Sequence, residues 1–352
     1  MGRLDRNVAV AARGRERRPH DFSAEPAPAY RVKRRDLLLA AGTAILWYPA
    51  LAAAAPRIGF IAAGSGASDQ SSLVALRGGL RALGWSDGDN CTILDRWAEA
   101  RTERLPDLAR ELIGSAVDIL VTAGTLATLA ATNTTATIPI VMVGVGNPVA
   151  IGVVDSIEQP GGNVTGLSLS SHELIAKRLQ LLRELVPSLH RVAIIVRNDP
   201  GLEQTLADIH GDAEQMGLDS VEIEANSGRA LEFAFTRLRN DRCDGLYVAS
   251  GPLGPAKRAQ IIAAAAQSRL PVIYSFGIFT AGGGLMSFAT DDNDLFRRAA
   301  GFVDRILKGA NPGHLAVEAP TRFELAINLK AARALQLTVP PSLLARADTL
   351  IQ

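Results

Sequence analysis

The sequence predicts an α/β protein of two doubly wound, parallel-sheet lobes joined by a multi-strand hinge, with a ligand cleft between the lobes. Three observations carry this expectation. The chain has 352 residues, 47% hydrophobic and 21% charged, which is long enough to bury two ordinary cores. From Arg57 onward, short apolar runs alternate with amphipathic segments, the pattern of a parallel sheet with helices on both faces. That pattern occurs twice without residue-level repetition, as expected of two similar lobes facing each other.

The first set of strands is read at 57–62 (RIGFIA), 91–97 (CTILDRW), 118–122 (DILVT), 139–143 (PIVMV) and 164–167, each a short apolar run of strand length. Helices are expected near 69–84, 102–115 and 125–136, the first stopped by Gly84. The second set places strands at 191–197, 219–225, 244–249, 271–275 and 284–288, with helices near 171–186, 201–217, 229–240 and 254–268. Lobe 1 is expected to comprise 56–167 with about 290–322, and lobe 2 to comprise 168–289 with about 323–352. Crossovers near 166–171, 288–292 and 320–326 would let the lobes rock as rigid bodies around a bound molecule.

Ahead of this body, residues 1–55 read as an address. Residues 1–31 have a disordered composition. Arg34 and Arg35 precede an uncharged run from Leu37 to Ala55 that ends in the small-residue stretch Leu51-Ala52-Ala53-Ala54-Ala55. Basic, apolar and Ala-x-Ala regions in that order predict a cleavable signal peptide, and the paired arginines resemble a twin-arginine export signal. A retained membrane anchor is the alternative, since 19 uncharged residues lie at the edge of what a bilayer span needs. With no cysteine near the cleavage region, a lipoprotein is not expected. The predicted location is the periplasm.

Residues 1–35 hold ten Lys/Arg against four Asp/Glu, whereas 27 basic and 31 acidic residues follow from Pro56 onward. A mildly acidic body lacks the positive field that nucleic-acid binding draws on. The two cysteines, Cys91 and Cys243, begin predicted strands in different halves and are expected to be buried thiols.

Several motifs in this body match a known family. Gly78-Gly79-Leu80-Arg81-Ala82-Leu83-Gly84-Trp85, Arg96-Trp97-Ala98-Glu99 and Arg104-Leu105-Pro106-Asp107-Leu108-Ala109 open the match. Gly124-Thr125, Ile138-Pro139-Ile140-Val141, Asn147-Pro148-Val149 and Pro160-Gly161-Gly162-Asn163-Val164-Thr165-Gly166 continue it. Gly283-Gly284-Leu285-Met286-Ser287 and Phe323-Glu324-Leu325-Ala326-Ile327-Asn328-Leu329-Lys330 close it. Together they resemble the ABC transporter substrate-binding family of the type I periplasmic-binding-protein fold, from about Arg57 to the C-terminus. The resemblance implies a hinged receptor that closes on a small-molecule solute and delivers it to an ABC permease in the inner membrane. It implies a monomer with no cofactor and no chemistry of its own.

In open α/β sheets the ligand lies beyond the carboxyl ends of the strands. On lobe 1 this selects Ser65 and Gly66 after the first strand, Gly124 and Thr125 after the third, and Asn147 and Pro148 after the fourth. The Gly64–Gly66 amides can face a polar ligand or simply turn the chain. The Thr125 hydroxyl can contact a ligand or cap its helix. Many members of the family carry an acid before this proline. Asn147 can accept a hydrogen bond but supplies no charge, which argues against an ammonium anchor there. On lobe 2 the candidates are Asn198, Ser250, Tyr274 and Phe276, with Arg197 and Ser275 beside them. Phe276 can stack on a flat ligand or belong to the core.

Other functions fit less well. A dinucleotide site would use Gly64 and Gly66 with Asp95, but Asp69 occupies the third glycine position and would repel a pyrophosphate. Ala63-Gly64-Ser65-Gly66-Ala67 lacks the glycines of a nucleophile elbow. His172, His190, His210 and His314 show no metal-ligand spacing. A regulator of transcription with this fold would carry a helix-turn-helix where this chain has its leader. A periplasmic sensor that reports a ligand without transport remains open alongside the importer reading.

Overall fold

A computed structural model describes residues 54–66, 70–169, 172–196, 200–224, 235–238, 241–249 and 255–352. The expected leader lies outside these residues up to position 53. Among the described residues no helix is long and apolar enough to cross a membrane.

Lobe 1 is built on a five-stranded, wholly parallel sheet of order β2-β1-β3-β4-β5. Its strands are β1 (Arg57–Ala62), β2 (Thr92–Trp97), β3 (Ile119–Ala123), β4 (Ile140–Val145) and β5 (Val164–Ser168). Each connection carries the chain over a face, as parallel pairing requires. Helices α2 (Leu105–Gly114) and α3 (Thr125–Thr132) cover one face, where Ile61, Leu112, Leu120 and Ile140 are buried. Helix α1 (Gln70–Ala82) covers the other.

Lobe 2 has a seven-stranded sheet of order β7-β6-β8-β9-β10-β11-β12. It comprises β6 (Arg191–Val196), β7 (Asp219–Glu224), β8 (Gly245–Val248), β9 (Val272–Tyr274), β10 (Met286–Thr290), β11 (Phe323–Asn328) and β12 (Thr349–Ile351). Helices α4 (His172–Leu185) and α5 (Leu202–Gln215) pack on one face with Leu179, Leu182 and Ile209. The helical residues 235–238, with α6 (Pro255–Gln267) and α7 (Gly277–Ala281), cover the other face.

From β10 the chain returns to lobe 1 as α8 (Asp292–Leu307). This helix buries Leu295, Phe296, Ala299, Ala300 and Val303 against Leu76, Leu80 and Phe60. It approaches α1 so closely that a β carbon at Gly79 would lie 2.5 Å from the Arg297 carbonyl oxygen, so only glycine fits there. The chain then re-enters lobe 2 as β11, α9 (Leu329–Ala334), α10 (Pro341–Arg346) and β12.

The two sheets confirm a mixed α/β fold with parallel sheets in two lobes. One feature of the second sheet departs from the all-parallel expectation. Strand β11 pairs antiparallel to β10, because the chain enters it from the hinge end rather than through a covering helix. Residues 323–326, read as crossover, belong to β11, whose last four residues are buried. Residues 288–290 likewise end β10.

Between β10 and α8 a single residue, Asp291, makes the passage. Its side chain caps α8 by accepting from the Asp294 amide at 3.0 Å, a cap worth ~1 kcal/mol. Its own amide donates to the Arg322 carbonyl at 3.1 Å, tying two crossovers together. Arg298 on α8 holds the returning segment, donating to the Ala319 carbonyl, the Thr321 hydroxyl and the Glu318 carboxylate. Both cysteines are buried and free.

Candidate ligand-binding site

Because β1 to β5 all run the same way, the loops after β1, β2, β3 and β4 open on one edge of lobe 1. Gly66 lies against the indole of Trp97, the last residue of β2. A β carbon at Gly66 would stand 3.3 Å from Trp97 Nε1. The indole is itself held, donating from Nε1 to Asp95 Oδ2 at 2.6 Å and packing on Phe60 at 5.2 Å between ring centroids.

The turn after β2 clasps the loop after β1. Glu99 and Ala100 both adopt left-handed backbone, φ 54° and 60°, which L-residues enter at a steric cost. Their amides donate to the Gly64 and Ala63 carbonyls, each at 2.9 Å. The strain thus serves to fix the chain immediately before Ser65.

After β3, Gly124 is the N-cap of α3 and has no side-chain cap. Thr125 Oγ1 does not cap its helix. It accepts from the Gly146 amide at 3.4 Å and so ties the loop after β3 to the loop after β4.

Asn147 begins a tight turn, and its Oδ1 accepts from the Ala150 amide at 3.1 Å. The acceptor function read from the sequence is therefore used by the fold. Beyond that bond, Asn147 can offer a ligand its carboxamide N–H donors and the second lone pair of Oδ1. Pro148 is buried, and its carbonyl accepts from the Val153 amide at 3.0 Å, closing the same turn. Ser65, Gly66, Gly124, Thr125 and Asn147 thus share one edge of the lobe.

On lobe 2, Asn198, Ser250 and Arg197 lie outside the described residues. Tyr274 is a correction. Strand alternation turns it to the face carrying α7, where it is 1% exposed and stacks on Phe279 at 4.8 Å. Burial pushes its phenol pKa up, and the ring serves the core. Phe276 is half-buried in extended backbone just before α7.

The opposite alternation turns Ser275 towards α4. Its hydroxyl donates to Tyr247 Oη at 3.1 Å. Beside this pair lies Arg178 of α4, a buried residue the sequence reading passed over. Its Nε donates to the Phe288 carbonyl at 2.8 Å, Nη1 to Tyr247 Oη at 3.3 Å, and Nη2 to the Ser275 carbonyl at 3.5 Å. A signal was present. Arg178 sits four residues after Leu174 and four before Leu182, on the apolar stripe of an amphipathic helix. Trp97 was also overlooked as a site residue, although it ends a strand.

A further depression of about 670 Å³ opens near the crossovers, lined among others by Phe288, Asp291, Arg322 and Phe323. None of the predicted site residues lines it. Among the described residues, no group of acids, histidines and cysteines is placed to hold a metal ion.

Comparison with known proteins adds three findings. The family model described as ABC transporter substrate binding protein matches residues 58–351. A tyrosine-binding protein of Clostridioides difficile is 27% identical over 267 residues, covering 75% of this chain and 76% of that protein. Among solved structures, a conserved domain protein from Vibrio cholerae superposes with a TM-score of 0.77 at 26% identity, over 84% of this chain and 99% of that one. An ABC domain from Streptococcus pneumonia in complex with L-Trp shares the fold, with a TM-score of 0.77 at 23% identity and the same coverages.

Proposed function

Because this chain belongs to the ABC transporter substrate binding protein family, we propose that it is the periplasmic solute receptor of an importer and catalyses no reaction. It captures a small polar organic solute of the amino-acid kind between its lobes and hands it to a permease in the inner membrane. The observation that carries this reading is the gathering of the loops after β1, β3 and β4 on one edge of lobe 1. The tyrosine-binding relative supports the ligand class. Lobe closure rests on the crossovers between the lobes, two of which are tied together by the Asp291 amide and the Arg322 carbonyl. Export rests on the leader-like residues 34–55.

Mass spectrometry of the molecule that accompanies the protein from its native periplasm, followed by calorimetric titration, tests the reading. A micromolar dissociation constant is expected, equivalent to ~8 kcal/mol. Small-angle scattering with saturating ligand should show a more compact particle. A protein that carries no small molecule and binds none of a broad panel of amino acids and organic acids is not a solute receptor. N-terminal sequencing of the mature chain should find a start near Pro56, and a chain that still begins at Met1 would refute cleavage.

A further inference from the structure

Arg178 is 8% exposed, and among the described residues it makes no ion pair. A buried cation normally recruits a carboxylate, because removal from water is costly unless an opposite charge replaces the lost solvation. Here the protein supplies two backbone carbonyls and one phenol oxygen, all formally neutral. Of the three contacts only the one to Phe288, at 2.8 Å, has an ordinary hydrogen-bond length, while those to Tyr247 and Ser275 are 3.3 and 3.5 Å. A guanidinium carries five N–H donors, and these three contacts leave one unused on each terminal nitrogen. Among the described residues, both the charge and part of its hydrogen-bonding capacity are therefore unspent.

Its position gives that surplus a use. Ser275 directly follows β9 and Tyr247 stands next to the end of β8. The guanidinium thus sits at the carboxyl edge of the lobe 2 sheet, where ligands of open α/β sheets lie. On the lobe 1 edge, Asn147 has its acceptor oxygen engaged and offers N–H donors. Both edges supply donors.

We propose that Arg178 is a specificity-determining residue that pairs with a carboxylate of the solute, so that the site selects carboxylate-bearing molecules over their neutral counterparts. This rests on the receptor reading above and narrows its ligand class. The planar guanidinium suits the two oxygens of a carboxylate, and its charge strengthens each hydrogen bond.

The test pairs each acid in a binding panel with its amide, for example L-tyrosine with L-tyrosinamide, and adds the deaminated acid 3-(4-hydroxyphenyl)propionate. The unmodified protein should prefer acids about 10- to 100-fold. Arg178→Gln should erase most of that preference, and Arg178→Lys should keep part of it. If acids and amides bind equally, or only neutral members bind, the carboxylate assignment is overturned while the receptor reading stands. If Arg178→Gln folds and retains the full preference, another residue reads the carboxylate and Arg178 is structural. Should neither variant fold, a crystal structure of the unmodified protein with the preferred acid decides the assignment: a carboxylate against the Arg178 guanidinium supports it, and a carboxylate held elsewhere overturns it. If no member of any pair binds, the receptor reading fails and the assignment with it.

Discussion

Gly201, at the start of α5 in lobe 2, stands against Ile151, in the turn after β4 of lobe 1. A β carbon built at Gly201 would lie 3.1 Å from Ile151 Cγ2. Gly201 also has left-handed backbone, φ 82°, as does Gly217 at the other end of α5, φ 67°, but Gly217 faces open space. Alanine at either position strains the backbone by ~1–2 kcal/mol, yet only Gly201→Ala pushes against the other lobe. Both variants should lower the urea midpoint, and only Gly201→Ala should weaken ligand affinity, by several-fold. Equal binding by the two would mean that this contact plays no part in the ligand-bound state.

Trp97 borders the Gly66 loop and is held by Asp95. In the Trp47→Phe, Trp85→Phe double variant it is the one remaining tryptophan of the chain. Saturating solute should then shift its fluorescence. Unchanged emission in a variant that still binds would remove the loop after β1 from the site.

Ala100 is left-handed at φ 60°, a conformation glycine adopts freely. Relief of strain is partly offset by the greater freedom of glycine in the unfolded chain. Ala100→Gly is expected to change stability by between zero and about +1 kcal/mol, whereas Ala100→Val should destabilise by ~1–2 kcal/mol. Denaturant unfolding measures both. A marked loss in the glycine variant would show that the turn is not under strain.

Asp304 is 9% exposed and accepts from Trp85 Nε1 and Lys308 Nζ, each at 2.9 Å. Burial alone would push its carboxyl pKa up. The hydrogen bonds from Lys308 and Trp85, with the charges of Lys308 and Arg305, outweigh this and hold it below its ordinary value. A carboxylate with a lowered folded pKa stabilises fully above the unfolded value of ~4 and loses that contribution as pH falls through the folded value. Asp304→Asn should therefore destabilise lobe 1 by about 1 kcal/mol at pH 7 and flatten the loss of stability below about pH 4. Parallel melting profiles for the two proteins would contradict this.

Much of the architecture was legible because it is encoded by near neighbours. The run Arg57–Ala62 declares a buried strand by its own composition, and the helix after it ends where Gly84 predicts, at Ala82. The shared edge of the loops that carry Ser65, Gly66, Gly124, Thr125 and Asn147 is legible in the same way, since parallel strands must all end on one edge. Their individual bonds were less accessible. That Thr125 reaches the Gly146 amide, 21 residues on, rather than its own helix depends on which strand lies beside which.

The fold class and the edge that carries the candidate site were thus determined by the sequence alone, because periodicity of two or of 3.6 residues is a local property of the chain. Tertiary structure decided which face each residue meets. It turned Tyr274 into the core and Ser275 towards α4, reversed β11, and buried Arg178 beside Tyr247 without an acid from the described chain. The physical reason is that burial and pairing of a charge depend on atoms brought together from distant positions. Arg178 meets residues 69, 97 and 110 positions away.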